Sequence, residues 1–371
     1  MGTPGNKLGV GTAYTYDQGG KDKAAPSRVW FEITGGAITD LLFPNVGQDN
    51  VRELSLLVAG GPAGEQRDLD RNRPISATVQ YLDPQALAYR VLTADPGGAW
   101  QAGKEVVTDP AADSLITRWT FTSTNAALSP YAYFVPHLGG SGRNDQLVVH
   151  EDGAVVAFDA DAQTYAVLLA DPQPARASVG YLRASDGVTD LQDGRMDWTF
   201  DRLSRPGYGA ATLALPAKGA VTLAVGFGET KDAARKAAQA TLKRGFNTVY
   251  QDYVTRWRQY LAKLTLPAAP DPLYWVSTMV LKAHEDKTYH GAGVASLTMP
   301  WGNCRTDDTS DQGYRYVWPR DLYHVAMAFI ALGDRDTANS TLEYLDNVLQ
   351  TSTDAFPQNA TLDGTPHWGS L

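Results

Sequence analysis

The sequence predicts a multidomain chain, β then α: an antiparallel sandwich followed by an all-helical region. Three observations carry that prediction. More than ten short strand-like runs, separated by turns, fill residues 28–227 with no helical interlude. The hydrophobic period changes abruptly at Gly228-Glu229-Thr230. Beyond that point apolar residues recur every three or four positions. A length of 371 residues exceeds one ordinary hydrophobic core and agrees with more than one domain.

The strand-like runs fall at 28–33, 77–81, 87–92, 115–122, 131–138, 154–158, 164–169, 178–182, 196–200, 210–215 and 220–227. Leu115, Thr117, Trp119 and Phe121 alternate with Ile116, Arg118 and Thr120, the period of a half-buried strand. Asp152-Gly153, Asp186-Gly187 and Asp193-Gly194 supply turn chemistry. So many strands in succession imply two packed antiparallel sheets.

The first helix is expected over 231–243, with Gly245 placed to end it. A second, over 248–264, stacks Tyr250, Tyr253, Val254, Trp257, Tyr260, Leu261 and Leu264 on one face. Pro267 to Pro270 reads as a linker, and Asp271-Pro272 starts a third helix. There Leu273, Trp275, Val276, Met279, Val280 and Leu281 leave little polar face, so burial on most sides is expected. Residues 286–316 read as a loop, Pro319 opens another helix ending near Gly333, and Asp334 caps one running to about Gln350. Residues 352–371 read as loop, and so short a helical array is not expected to close a core alone.

Composition narrows the function classes. A net charge of -9, with Lys and Arg scattered, argues against a nucleic-acid partner. No stretch reaches the roughly 18 uninterrupted apolar residues of a membrane span. Nine Trp and 18 Tyr offer flat faces that suit sugar rings, although most such residues serve as core. Cys304 is the single cysteine, so no intrachain disulfide is expected. The start Met1-Gly2-Thr3-Pro4 lacks the layout of a secretion signal; it fits an added start on a mature secreted or periplasmic chain, the expectation here, as well as a cytosolic one.

The segment Tyr314-Arg315-Tyr316-Val317-Trp318-Pro319-Arg320-Asp321 sets an aromatic, a guanidinium fork and a carboxylate at the first turn of a helix. The positive end of the helix macrodipole and Arg320 both favour an ionised Asp321, a hydrogen-bond acceptor suited to sugar hydroxyls. A surface ion pair beside a helix-starting proline is the competing reading of the same residues.

Gly313 to Asp321, followed by Ala326, Ala328, Leu332-Gly333-Asp334, Phe356-Pro357-Gln358-Asn359, Asp363-Gly364 and Pro366-His367-Trp368, resembles the opening of the catalytic barrel of glycoside hydrolase family 15. Ser27-Arg28-Val29-Trp30, Phe43-Pro44-Asn45-Val46, Asp49 to Leu54, Val135-Pro136-His137-Leu138 and Ser185-Asp186-Gly187 resemble the N-terminal domain of its bacterial glucoamylase and glucodextranase branch. The resemblance implies a super-β-sandwich over 1–228, linker helices over 229–270 and the first part of an (α/α)6 barrel over 271–371. It also implies exo-acting, inverting release of glucose from α-glucans, with the residues matching Tyr314, Trp318, Arg320 and Asp321 lining the subsite for the terminal glucose. Trp368 lies in a segment that leads into more of the pocket wall. Both family glutamates are expected beyond Leu371, so no general acid or base is assigned, and catalysis by this chain alone is not expected. The remainder of the same enzyme is the expected partner, besides the glucan.

Other signals are set aside. His284-Glu285 is followed by His290, six residues on, so both rings cannot share one helical face around zinc. Asp307, Asp308 and Asp311 form an acidic loop that leaves structural calcium open, but without the glycine and distal glutamate of an EF-hand we read it as solvated, and no cofactor is expected. His137 reads as a satisfied core or interdomain histidine. Two rival functions remain: an inverting disaccharide phosphorylase, which also joins such a sandwich to a helical barrel, and a non-catalytic glucan-binding or interaction module.

Overall fold

The computed structural model describes residues 7–19, 23–61, 66–69, 75–265, 267, 269, 271–297, 315–350 and 355–370, without the side chains of 7, 66–68 and 368–370. The chain opens with β1 (Lys7–Thr12), β2 (Trp30–Thr34), β3 (Ala37–Leu42), β4 (Asp49–Gly60), β5 (Gln66–Leu69), β6 (Ser76–Tyr81), β7 (Tyr89–Ala94) and β8 (Trp100–Thr108). It continues with β9 (Ser114–Ser123), β10 (Leu128–Pro136), β11 (Gln146–Val149), β12 (Val155–Asp159), β13 (Thr164–Asp171), β14 (Arg176–Tyr181), the short α1 (Gly187–Asp190), β15 (Gly209–Ala214) and β16 (Ala220–Gly228). One antiparallel sheet runs β1-β2-β3-β4-β10-β15-β14, with β5 also paired to β4; the other runs β11-β12-β13-β16-β9-β8-β7-β6.

The inner faces meet in one core. Phe43, following β3, stacks on Phe227 of β16 with ring centroids 5.5 Å apart, tying the sheets together. Trp30, Trp100, Phe31 and Phe134 are fully buried in the same cluster. Fourfold repetition of such aromatic burial supplies the apolar area that a chain without disulfides depends on.

Helix α2 (Lys231–Arg244) starts where Thr230 accepts a hydrogen bond from the Ala233 amide at 3.2 Å, and stops at Gly245 with φ 73°. It lies against β13 and β16 so closely that a Cβ on Gly226 would meet the Ala234 carbonyl oxygen at 2.3 Å. Helix α3 (Phe246–Leu261) fastens the sandwich to the helical region. The Trp257 indole donates to the Thr12 carbonyl at 2.9 Å and the Tyr253 hydroxyl to the Leu87 carbonyl at 2.9 Å.

Helix α4 (Pro272–Ala283) begins with Asp271 accepting from the Leu273 amide at 2.7 Å. Its burial is narrower than its composition suggests: Thr278, Met279, Lys282 and Ala283 are buried, whereas Leu273 is exposed. The sandwich covers only the C-terminal half, where Trp30 donates to the Ala283 carbonyl at 3.0 Å. Helices α5 (Pro319–Ala331) and α6 (Arg335–Tyr344) pack together, and a wider helical turn extends α6 to Leu349.

Three further expectations need correction. Residues 196–200 are not a strand: Asp190 accepts from the amides of Asp197 and Trp198, and the Phe200 amide donates to the Ser178 hydroxyl, so side chains take most places of a ladder beside one backbone bond from the Val179 amide to the Phe200 carbonyl. Within 352–371, β17 (Pro357–Ala360) and β18 (Pro366–Ser370) form a hairpin, turned at Asp363-Gly364. The sandwich also contains β1, β3, β4, β5, β8 and β11, which the alternation pattern does not reveal.

Candidate functional site

The first turn of α5 carries the motif. Trp318 takes the N-cap position with extended backbone (φ -109°, ψ 110°), and Pro319 follows at the first helical position, where its fixed φ and missing N–H cost nothing. Arg320 Nη2 donates to Asp321 Oδ2 at 3.4 Å. The guanidinium is 80% exposed and the carboxylate 43% exposed, so this is a loose surface pair whose members retain capacity for further hydrogen bonds.

Asp321 borders a cavity of about 200 Å³ that also takes in His284, Glu285, the Gly291–Ala295 turn and His324. Glu285 is buried, and removal from water raises its pKa against the pull of Lys282. The Lys282 ammonium is held by Glu285 and, at 2.5 Å, by Thr337 Oγ1. His284 is half-buried; desolvation lowers its pKa, opposed by the 2.6 Å contact of Nδ1 with the Val280 carbonyl. A larger cleft of about 520 Å³ lies beyond, and Lys282, Glu285 and Thr337 border it together with Tyr14, Tyr16 and Tyr260.

The chain before the motif is pinned on several sides. Val317 and Ala360 exchange two backbone hydrogen bonds of 2.9 Å, which docks β17 beside the start of α5. Tyr316 stacks on His367 with centroids 4.3 Å apart, and its carbonyl accepts from the Ala295 amide at 3.1 Å. Arg315 is buried between this segment and the sandwich, with Nε donating to the Leu297 carbonyl at 2.7 Å.

Of the residues singled out in the sequence, Trp318, Arg320 and Asp321 therefore share one turn. Trp368 sits on β18, opposite Asn359 in the hairpin that bonds to Val317. Tyr314, Cys304, Asp307, Asp308 and Asp311 lie outside the described residues. His290 bonds Ser340 Oγ through Nε2 at 2.8 Å, apart from the bond made by His284. Among the described residues no group of three His, Cys, Asp or Glu side chains suits a metal ion. Sequence reading passed over Arg315; the signal was a cation enclosed by Tyr314, Tyr316, Val317 and Trp318, a neighbourhood that forces it to find buried acceptors.

Comparison with known proteins agrees with this architecture. Residues 2–262 match the family described as glucodextranase, domain N, and residues 272–365 match glycosyl hydrolases family 15. A glucoamylase of Clostridium sp. (strain G0005) is 31% identical across 98% of this chain and 51% of its own length. The crystal structure of a bacterial glucoamylase complexed with acarbose superposes with a TM-score of 0.90 at 30% identity, covering 99% of this chain and 53% of that one. A family GH92 α-mannosidase from Bacteroides thetaiotaomicron, in complex with mannoimidazole, shares the fold alone, with a TM-score of 0.52 and 12% identity over 97% of this chain and 49% of its own. The chain thus spans about half the length of the glucoamylases it matches. A sandwich matching glucodextranase domain N, joined through α3 to helices that carry the Trp-Pro-Arg-Asp turn, places this chain in glycosyl hydrolase family 15, in its bacterial glucoamylase and glucodextranase branch.

Proposed function

We propose that the chain supplies the sandwich (1–228), the linker helices (229–270) and the opening of the helical barrel (271–371) of a secreted or periplasmic, exo-acting α-glucoside hydrolase. The observation that carries this reading is the exposed Arg320–Asp321 pair on the rigid first turn of α5, beside a cavity. A guanidinium fork and a carboxylate, both with spare hydrogen-bonding capacity, suit adjacent hydroxyls of a terminal glucose. In this reading the family resemblance adds Tyr314, Trp318 and Trp368 to the same subsite. The likeness to a glucoamylase complexed with acarbose supports a glucan-like ligand.

In this reading hydrolysis inverts the anomeric centre. A carboxylic acid protonates the leaving oxygen while a carboxylate across the ring, typically about 6.5–9.5 Å away, activates water. Both groups come from the half of the glucoamylase length that this chain does not span, so the chain alone binds without turning over. The exposed apolar side chains Leu273, Tyr323, Met327, Ile330 and Leu342 support the same view, since further barrel helices would cover them.

The test is to assay the full-length gene product on maltose, isomaltose, dextran and starch, following the released glucose by NMR. β-Glucose as first product is expected. Glucose 1-phosphate appearing only with phosphate would assign a phosphorylase, and binding without turnover would assign a glucan-binding module.

A further inference from the structure

Two strands of the sandwich bring carboxylates within 4 Å of one arginine of the site segment, and a third acts on it electrostatically. Arg315, 2% exposed, places Nη2 3.7 Å from Asp40 Oδ2 and Nη1 3.9 Å from Asp49 Oδ2. Glu32, fully buried on β2, adds a third negative charge nearby. Burial by itself disfavours the charged guanidinium; Asp40, Asp49 and Glu32 outweigh it and raise its pKa. Asp40 holds a left-handed backbone (φ 47°), a conformation that costs a non-glycine residue about 1 kcal/mol and persists only where its surroundings impose it.

Net stability does not explain such a cluster, because well-packed apolar residues often replace a buried ion group without loss. What it supplies is direction. The planar fork donates one hydrogen bond, from Nε to the Leu297 carbonyl of the helical part, and faces Asp40 on β3 and Asp49 on β4 at ion-pair distances of 3.7 and 3.9 Å. A lysine has one ammonium and cannot reproduce that geometry. Arg315 is three residues before Trp318 and six before Asp321, and Tyr316 and Val317 between them are also held.

We propose that Arg315 is a positioning residue, and that its clasp by Asp40, Asp49 and Glu32 lets the sandwich set the affinity of the sugar site at the start of α5. The proposal rests on reading that site as the grip for a terminal glucose. The sandwich is then a working part of the pocket and not only a neighbouring support.

Two measurements test it. In the 371-residue chain, hydrogen exchange at the amides of 316–322 should accelerate at least tenfold in Asp40→Asn, with the sandwich amides unchanged; asparagine tolerates the left-handed backbone and removes only charge. Unchanged exchange overturns the clasp. In the full-length protein, Arg315→Lys and Asp40→Asn should raise KM for maltose at least tenfold, with a smaller fall in kcat and a Tm within a few degrees of wild type. A lower Tm with wild-type KM would make the cluster structural only, and wild-type KM in Arg315→Lys would show that charge without the fork suffices; either result overturns the proposal. If glucan turnover responds to Asp321→Asn but not to these variants, the positioning role alone fails. If the wild type has no glucan turnover or binding, the reading of the site fails and takes the proposal with it.

Discussion

The hydroxyl of Tyr260, near the end of α3, donates to Asp334 Oδ2 at 2.9 Å, and the same carboxylate caps α6 through the amide (3.1 Å) and hydroxyl (2.8 Å) of Thr337. Helix α3 and the N-terminus of α6 thus share one acceptor. Tyr14, following β1, stacks on the same Tyr260 ring at 4.5 Å, so the sandwich, α3 and α6 meet there. Tyr260→Phe should lose about 1 kcal/mol in urea unfolding, and Asp334→Ala about 1–2 kcal/mol, because the latter also removes the cap. Equal stability of Tyr260→Phe and wild type would show that the hydroxyl contributes nothing net.

Asp321→Asn in the full-length protein should lower kcat/KM for maltose by several kcal/mol of transition-state binding, and Arg320→Ala by a similar amount. Both groups are exposed, so the 371-residue chain should keep its Tm in either variant. Unaltered kinetics would remove the pair from the sugar grip.

Lys287 gives a pH signature. Its ammonium lies in the sandwich wall, donating to Thr12 Oγ1 and the Ala13 carbonyl, both at 2.6 Å, and facing the Tyr16 and Trp30 rings. Desolvation pulls its pKa down to about 7, against the attraction of Asp113, Asp286 and Glu285. Between that value and the unfolded pKa of 10.5, the unfolded chain binds more protons, so this group's contribution to stability rises with pH through that window and is lost as pH falls through 7. The effect is on the order of a few kcal/mol. Subtracting Lys287→Met unfolding curves from those of wild type isolates it from the tyrosines, whose raised pKa values act in the opposite sense above pH ~10. A flat difference curve from pH ~7 to ~10 would refute the assignment.

Tyr323, Met327 and Ile330 form an exposed stripe along α5 at four- and three-residue spacing. Met327→Lys with Ile330→Gln should prevent assembly of an active full-length enzyme, read as loss of glucose release, while leaving the Tm of the 371-residue chain unchanged. Activity at wild-type level in that double variant would mean that no helix packs on the stripe.

The change from sheet to helix was legible because it is local: Thr230 and Gly245 bracket α2, and one face of α3 is apolar. Strand β4 was not, since it is buried almost throughout between β3 and β10 and shows no alternation, while Arg52 and Glu53 disguise its first half. Residues 196–200 erred the other way. Their alternation is genuine, but at the edge of β14 it serves side-chain acceptors on Asp190 and Ser178. The Trp318–Asp321 turn could be read because proline and dipole chemistry fix a helix start; the acceptors of Arg315 could not, because Asp40 and Asp49 are brought to it only by folding.

The bond from the Trp30 indole to the Ala283 carbonyl spans 253 positions of chain. At a synthesis rate of roughly 5–20 residues per second, the indole precedes its acceptor by about 13–50 s. Strands β3 to β16 are all synthesised in that interval, so every later strand of both sheets precedes the acceptor on α4. Closing that single bond therefore fixes a contact of very high sequence separation, and the sandwich side of it is always made first.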